Sequence, residues 1–410
     1  MRISTPDPGW ENLLSGAGRS LITEATAMHA RGESLERIGL ALRKDGHSGD
    51  AVAAALTQVQ LREKAVAKFG DAAKNMLFTQ AGLEQASRDI VAREHAERFV
   101  RAGATSVSDL GCGLGAESLA FLNAGMRVRA VEIDPFTAEL AAHNLSTAGL
   151  ETAHEVITGD AELLGPGNAE AVFFDPARRT AGHRDTRRIA SPDDYSPSLT
   201  NAFSVAASLP TGIKLGPGFE RELIPEEAEA QWVSVNGSVV ETALWFGATR
   251  SGESRRSALL FSDRGAAIER NELSAPADSL DAEISGVREY LYEPDGAVIR
   301  ARLIGLLAER LDAAMLDEHI AYMTADRLTP TPFASAFRVV DELPSKEKQL
   351  KRALTELNVG TVEIKKRGVA VDPAELRKRL KLKGSQSATI VMTRIGERHV
   401  TLLVERVPAH

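Results

Sequence analysis

The chain has one cysteine, Cys112, in 410 residues. That excludes an intramolecular disulfide framework and a multi-cysteine zinc site, and it suits a reducing compartment, so a cytoplasmic protein is expected. The nine histidines show no metal-ligand spacing, and no metal is expected. No run approaches the roughly 18 uninterrupted apolar residues of a membrane span, so none is expected. Met1 to Trp10 holds prolines and an acidic residue but no apolar stretch, so no secretory signal is expected there. Low-complexity segments and internal repeats are missing too. Aromatic residues make up only 5%.

Hydrophobic residues reach 43%, enough for a sizeable core, and the length suits two or three domains. The net charge of −8 is unevenly spread. Lys346 to Lys383 carries 12 Lys+Arg against 5 Asp+Glu, a local +7, which leaves −15 for the rest. A basic tail on an acidic body points to a polyanionic partner, although a solvated face explains such runs equally well.

Leu35, Ile38 and Leu42 at helical spacing, and the Ala-rich run from Ala51 to Lys68, predict a helical domain over residues 1–75 with a break at Gly46 to Gly49. Strands then alternate with helices. Strands are expected near Ser106 to Leu110, Arg127 to Ile133, Glu155 to Thr158, Ala169 to Asp175 and Gly212 to Leu215. The helices between them fall at Ala116 to Ala124, Pro135 to Ala148 and Ser198 to Ala207. This alternation predicts a Rossmann-like α/β domain over residues 76–265. Ser238 to Phe246 and Ser257 to Ser262 are expected to close the sheet as an antiparallel edge hairpin, which a plain dinucleotide-binding sheet lacks. Residues 266–336 read as an extension and linker, with an amphipathic helix over Ala297 to Leu316 and a proline-bearing link at Leu328 to Phe333. Residues 337–410 run β-α-β-α-β-β, a ferredoxin-like α+β unit.

The chemistry centres on Asp109-Leu-Gly111-Cys-Gly113-Leu-Gly115, where an apolar strand meets a tight turn and a helix. Glycines at Gly111, Gly113 and Gly115 let backbone approach a ligand at positive φ. Asp109 at the strand end suits an ammonium group, directly or through water. Glu132 follows Gly111 by 21 residues, where a carboxylate takes ribose hydroxyls, and Asp160 is placed to accept an exocyclic amine. Each carboxylate has a plainer alternative as a cap, turn or strand-end charge. Asp175-Pro176 ends the fourth strand, beside the switch point where open α/β sheets bind ligands. There it can hold a nucleophile toward a methyl group. The arginines that follow, Arg178, Arg179, Arg184, Arg187 and Arg188, suit a phosphate backbone or a solvated loop equally. Lys365-Lys366-Arg367 belongs to the basic tail. Cys112, with no histidine nearby, reads as a packing residue. Gly111-x-Gly113-x-x-Ala116 also satisfies a relaxed dinucleotide fingerprint, which keeps an NAD-dependent oxidoreductase open.

Taken together, Asp109 to Gly115, Val131-Glu-Ile-Asp134, Gly159-Asp-Ala161 and Asp175-Pro176 resemble the successive motifs of class I S-adenosylmethionine-dependent methyltransferases, over residues 76–262. The resemblance implies a seven-stranded methyltransferase sheet and S-adenosyl-L-methionine as cofactor. It makes Thr79, Asp109, Gly111, Gly113, Gly115, Glu132, Ile133, Asp160 and Ala161 cofactor contacts and Asp175 and Pro176 catalytic. Phe78-Thr79-Gln-Ala-Gly82-Leu-Glu-Gln-Ala-Ser87, Asp175-Pro-Ala-Arg-Arg179, Leu244-Trp-Phe-Gly247, Tyr292-Glu-Pro-Asp295 and the basic tail are similar to bacterial methyltransferases with a THUMP-like domain, along nearly the whole chain. That likeness implies an RNA partner, tRNA or rRNA, met by Arg178, Arg179, Lys365, Lys366 and Arg367. Base amino-methyltransferases usually carry a second proline and an aromatic where this chain has Ala177 and Arg178. The target atom therefore stays open, as does a non-catalytic RNA-binding protein on a degenerate methyltransferase fold.

Overall fold

The computed structural model describes residues 10, 13–150, 153–178, 191–263 and 267–408. They form two compact units. The first runs to Leu215 and takes in Phe219–Ala228 and Ala243–Arg250; the second holds the remainder.

The first unit opens with three helices, α1 (Gly16–Ala30), α2 (Leu35–Lys44) and α3 (Gly49–Phe69). Each starts on a serine, Ser15, Ser34 or Ser48, whose side chain accepts a backbone N–H of the first turn. Such a cap is worth about 1 kcal/mol. Ile38, Leu42, Val52 and Val59 share one core with Met76, Phe78 and Leu83, and also with Leu114 and Ala116 of the glycine loop and its helix. Two further helices follow, α4 (Gln80–Gln85) and α5 (Asp89–Arg101).

Strands β1 (Ser106–Leu110), β2 (Arg127–Glu132), β3 (His154–Thr158), β4 (Ala171–Phe174) and β5 (Thr211–Leu215) then alternate with α6 (Ala116–Asn123), α7 (Pro135–Ser146), α8 (Ala161–Leu164) and α9 (Leu199–Ala206). β1 pairs in parallel with β2 and with β4, β2 with β3, and β4 with β5. β1, β4 and β5 are buried throughout, as strands covered on both faces must be. All strand carboxyl ends therefore open on one edge, where Leu110, Glu132, Thr158, Phe174 and Leu215 lead into loops. Ala177–Arg178 makes a short antiparallel pairing with Tyr195–Ser196 just past β4.

The expected edge hairpin is redrawn. β6 (Glu229–Val235) pairs with β7 (Ser238–Phe246), and the two are joined by Asn236-Gly237, whose φ angles are both positive. That is the two-residue turn that favours Asn-Gly. β8 (Arg256–Asp263) lies on the far side of β6, parallel to it, and pairs antiparallel with β9 (Ile268–Ala275). β6 and β8 belong to the second unit, while β7 is divided, Ser238 to Thr242 in the second and Ala243 to Phe246 in the first. Within the first unit the order is β3-β2-β1-β4-β5-β7 and within the second β7-β6-β8-β9.

The second unit contains a further sheet. β10 (Tyr290–Pro294), β11 (Ala314–Asp317), β12 (Ile320–Ala325), β13 (Ala334–Leu343), β14 (Val359–Lys366), β15 (Gln386–Ile395) and β16 (Arg398–Arg406) are ordered β11-β12-β10-β13-β16-β15-β14. The stretch expected to be extension and linker thus supplies three strands to the sheet of the C-terminal unit. The helix expected over Ala297 to Leu316 is instead α10 (Gly296–Arg300) and α11 (Ile304–Leu311), followed by β11. Arg302 and Asp312 adopt positive φ and end the helical runs there. From β13 the order is β-α-β-α-β-β with α12 (Glu347–Glu356) and α13 (Pro373–Leu380). Leu350, Leu354, Leu376 and Leu380 pack on Val362, Ile364 and Ile390, so the basic side chains of both helices face outward. No helix among the described residues is long and apolar enough to cross a membrane.

Candidate active site

At the end of β1 the chain makes the glycine turn. Gly111, Gly113 and Gly115 have φ of 91°, 55° and 82°, where a side chain is strained. A Cβ on Gly111 would stand 3.0 Å from the Asp175 carbonyl oxygen. Close backbone approach between the β1 and β4 ends therefore requires glycine. A Cβ on Gly113 would meet no described atom within 4 Å, so the loop's middle faces open space.

Around this loop the predicted carboxylates take different stations. Asp109 lies beneath it, fully buried, and accepts from Ser118 Oγ at 2.5 Å. Its Oδ1 has no hydrogen-bond partner among the described residues. Burial, and then neighbouring Glu117, push its carboxyl up to about 8. Glu132 closes over the turn: Oε2 accepts Gly113 N–H at 3.1 Å and Oε1 accepts Asp134 N–H at 2.9 Å. Burial raises its pKa against those donors. Ile133 beside it is 42% exposed, an apolar surface at the strand end. Asp134 caps α7 and Asp160 caps α8, accepting from Glu162 N at 2.8 Å. Ala161 is buried. Thr79 caps α4, accepting from Gly82 N at 2.9 Å. The plainer role of Asp160 is thus the one visible, and Thr79 serves as a helix cap. Cys112 is buried in the core, and burial raises its thiol far above the ordinary value.

Asp175 sits at the end of β4, with Pro176 buried behind it. Its Oδ2 accepts from Lys214 Nζ at 2.6 Å. Lys214, the penultimate residue of β5, donates also to Gln85 O at 3.3 Å and stands 3.7 Å from Glu117 Oε1. Glu117 is buried on α6, 3.7 Å from His95 Nδ1, and accepts from Ser87 Oγ. Burial would raise its pKa, but Lys214, His95 and Ser87 together hold the carboxylate well below the usual range. Glu117, Lys214 and the half-buried Asp175 thus form one charge network beside the buried Asp109, which only the two aspartates announced in the sequence.

Of the expected substrate contacts, Arg178 is described through its backbone only. Arg179, with Arg184, Arg187 and Arg188, lies outside the described residues. Lys365 donates to Glu293 Oε2 at 2.7 Å and Arg367 lies 3.9 Å from the same carboxylate, so both are engaged within their own unit, while Lys366 is exposed.

A glycine turn open at its centre, a carboxylate at the β2 end beside an exposed isoleucine, and a buried carboxylate oxygen left unsaturated fit a donor with ribose, adenine and ammonium groups. With parallel strands ordered β3-β2-β1-β4-β5 and the added β7, they define the class I methyltransferase architecture. The comparisons agree. The chain is 35% identical over 359 residues to an uncharacterized S-adenosylmethionine-dependent methyltransferase of Mycobacterium tuberculosis (strain CDC 1551 / Oshkosh), covering 84% of this chain and 94% of the relative. The counterpart in strain ATCC 25618 / H37Rv gives the same figures. A crystal structure assigned to a methyltransferase of Porphyromonas gingivalis W83 matches with a TM-score of 0.75 at 21% identity, over 97% of this chain and 99% of that one. Residues 334–406 match a family model described as THUMP domain-like, and residues 9–65 one described as a domain of unknown function. The chain belongs to the S-adenosylmethionine-dependent methyltransferases. It is an enzyme that uses that cofactor, and the oxidoreductase alternative falls away.

Proposed function

We propose that this methyltransferase acts on RNA, a tRNA or rRNA base, by direct displacement at Asp175-Pro176. The observation that carries this is the THUMP domain-like match over residues 334–406, joined in one chain to a methyl-donor site. The resemblance read from the sequence ties such domains to RNA. The same stretch holds the local +7, and Lys366, Arg377, Lys378, Arg379, Lys381 and Lys383 are exposed on it. Lys365 and Arg367 serve Glu293 at half-buried positions, whereas Lys378 and Arg379 pair with Glu375 and Glu347 at the surface, so the exposed group is the one placed to capture phosphates.

S-adenosylmethionine supplies an electrophilic methyl group on a sulfonium. The chain's part is alignment and desolvation. Lys214 binds Oδ2 of Asp175 and fixes the carboxylate's orientation. The carboxylate, so held, accepts an N–H or O–H of the incoming nucleotide and turns its lone pair toward the donor. Mass spectrometry of nucleosides from RNA of deletion and wild-type cells, fractionated by RNA class, tests the substrate. One methylated nucleoside missing from one RNA class is expected; identical profiles in every class would contradict an RNA substrate.

A further inference from the structure

The three N-terminal helices do more than pack beside the donor site. Their last helix, α3, grips the segment 76–86 that lies against the glycine loop. Gln58 Nε2 donates to Phe78 O at 2.8 Å and its Oε1 accepts Phe78 N–H at 3.0 Å. Arg62 Nε donates to Met76 O at 2.9 Å. Lys68 Nζ donates to three carbonyls at the end of α4: Leu83 at 2.7 Å, Glu84 at 2.8 Å and Ala86 at 2.7 Å. The carbonyl between them, Gln85 O, is the one Lys214 takes while it holds Asp175. Two ammonium groups, one from the helical domain and one from β5, thus divide four successive carbonyls. Charge-assisted bonds of this kind are roughly twice as strong as neutral ones.

The other side of the segment meets the donor site. A Cβ on Gly82 would fall 2.7 Å from Leu114 Cδ1, so α4 rests directly on the glycine loop. Asn144 of α7 ties the same parts together. Its Oδ1 accepts Leu77 N–H at 2.7 Å, and its Nδ2 donates to Leu77 O at 3.1 Å and Leu114 O at 3.0 Å.

We infer that Lys68 is a positioning residue of the methyltransferase: from the N-terminal helical domain it fixes the last turn of α4, and through that turn the Leu114 anchor of the glycine loop and the Lys214–Asp175 pair. The inference rests on donor binding and stands apart from the choice of RNA. Calorimetric titration of the full chain with S-adenosylmethionine tests it, with melting curves and hydrogen exchange of residues 76–86 alongside. Lys68→Met is expected to weaken donor binding about tenfold or more, with Lys68→Arg restoring most of it, since only a charged donor satisfies the carbonyls. Exchange is expected to rise in 76–86 more than elsewhere in the chain in Lys68→Met, with a modest fall in melting temperature. Should Lys68→Met fail to fold, Lys68→Gln, which keeps a neutral donor, takes its place with the same expectation. Donor affinity within about twofold of wild type in the folded variant, or a loss that Lys68→Arg does not restore, would overturn the inference.

Discussion

At Gly111 the glycine turn is sensitive to a single atom. The φ of 91° there strains any side chain, and a Cβ would stand 3.0 Å from Asp175 O, tighter than ordinary contact. Gly111→Ala is expected to lower donor affinity by more than about tenfold, measured calorimetrically, because the loop must shift away from β4. Asp109 gives a pH signature. Its folded pKa, about 8, lies above the unfolded value of about 3.9, so its contribution to stability is complete below pH 4 and is lost as pH rises through 8. Asp109→Asn removes that term, and its melting temperature, compared with wild type, is expected to gain steadily from pH 5 to 8; a constant difference would show that Asp109 is ionised throughout. Asp109 and Glu132 are legible in the sequence because each ends an apolar strand at a set distance from Gly111, and Asp175 because it ends an apolar strand just before Pro176. Lys214 is not. Thr211-Gly-Ile-Lys-Leu215 reads as a buried strand, and nothing local links it to Asp175, 39 residues away.

Among the elements, β5 shows how closely this sheet is packed. A Cβ on Gly212 would lie 2.6 Å from Trp245 Cζ3 and 3.1 Å from Phe173 Cδ2, both rings buried. Gly212→Ala is expected to cost about 1–3 kcal/mol in urea unfolding through overpacking. The first five strands are readable as short apolar runs bounded by turns, and the N-terminal helices from their spacing. β6 is hidden for a physical reason. Glu229 and Gln231 break its apolar pattern, yet both are buried and satisfied, Glu229 by Ser251 N–H at 2.6 Å and Gln231 by Glu272 at 2.8 Å. With β6 hidden, the Asn236-Gly237 turn has no visible first strand, and β8 pairs by default with the wrong neighbour. β10 to β12 are concealed in a stretch whose pairing partners lie up to about 50 residues away, as Tyr290 opposite Arg338 shows.

The molecule as a whole joins a methyl-donor site to a basic C-terminal unit. The +7 segment lies in that C-terminal unit, on a chain whose net charge is −8. Replacing Arg377, Lys378 and Arg379 with Glu is expected to weaken RNA binding and to flatten its dependence on salt by roughly 1 in log–log slope for each phosphate left unneutralised, with S-adenosylmethionine binding unchanged. Gel-shift titrations over a salt series read both. Incubating the purified enzyme with methyl-labelled S-adenosylmethionine and total RNA from cells lacking it shows whether Asp175 directs methyl transfer to RNA. Label in RNA is expected with the wild-type enzyme and at least about a hundredfold less with Asp175→Ala at saturating S-adenosylmethionine. Full labelling by Asp175→Ala, or none by the wild type, would contradict that assignment.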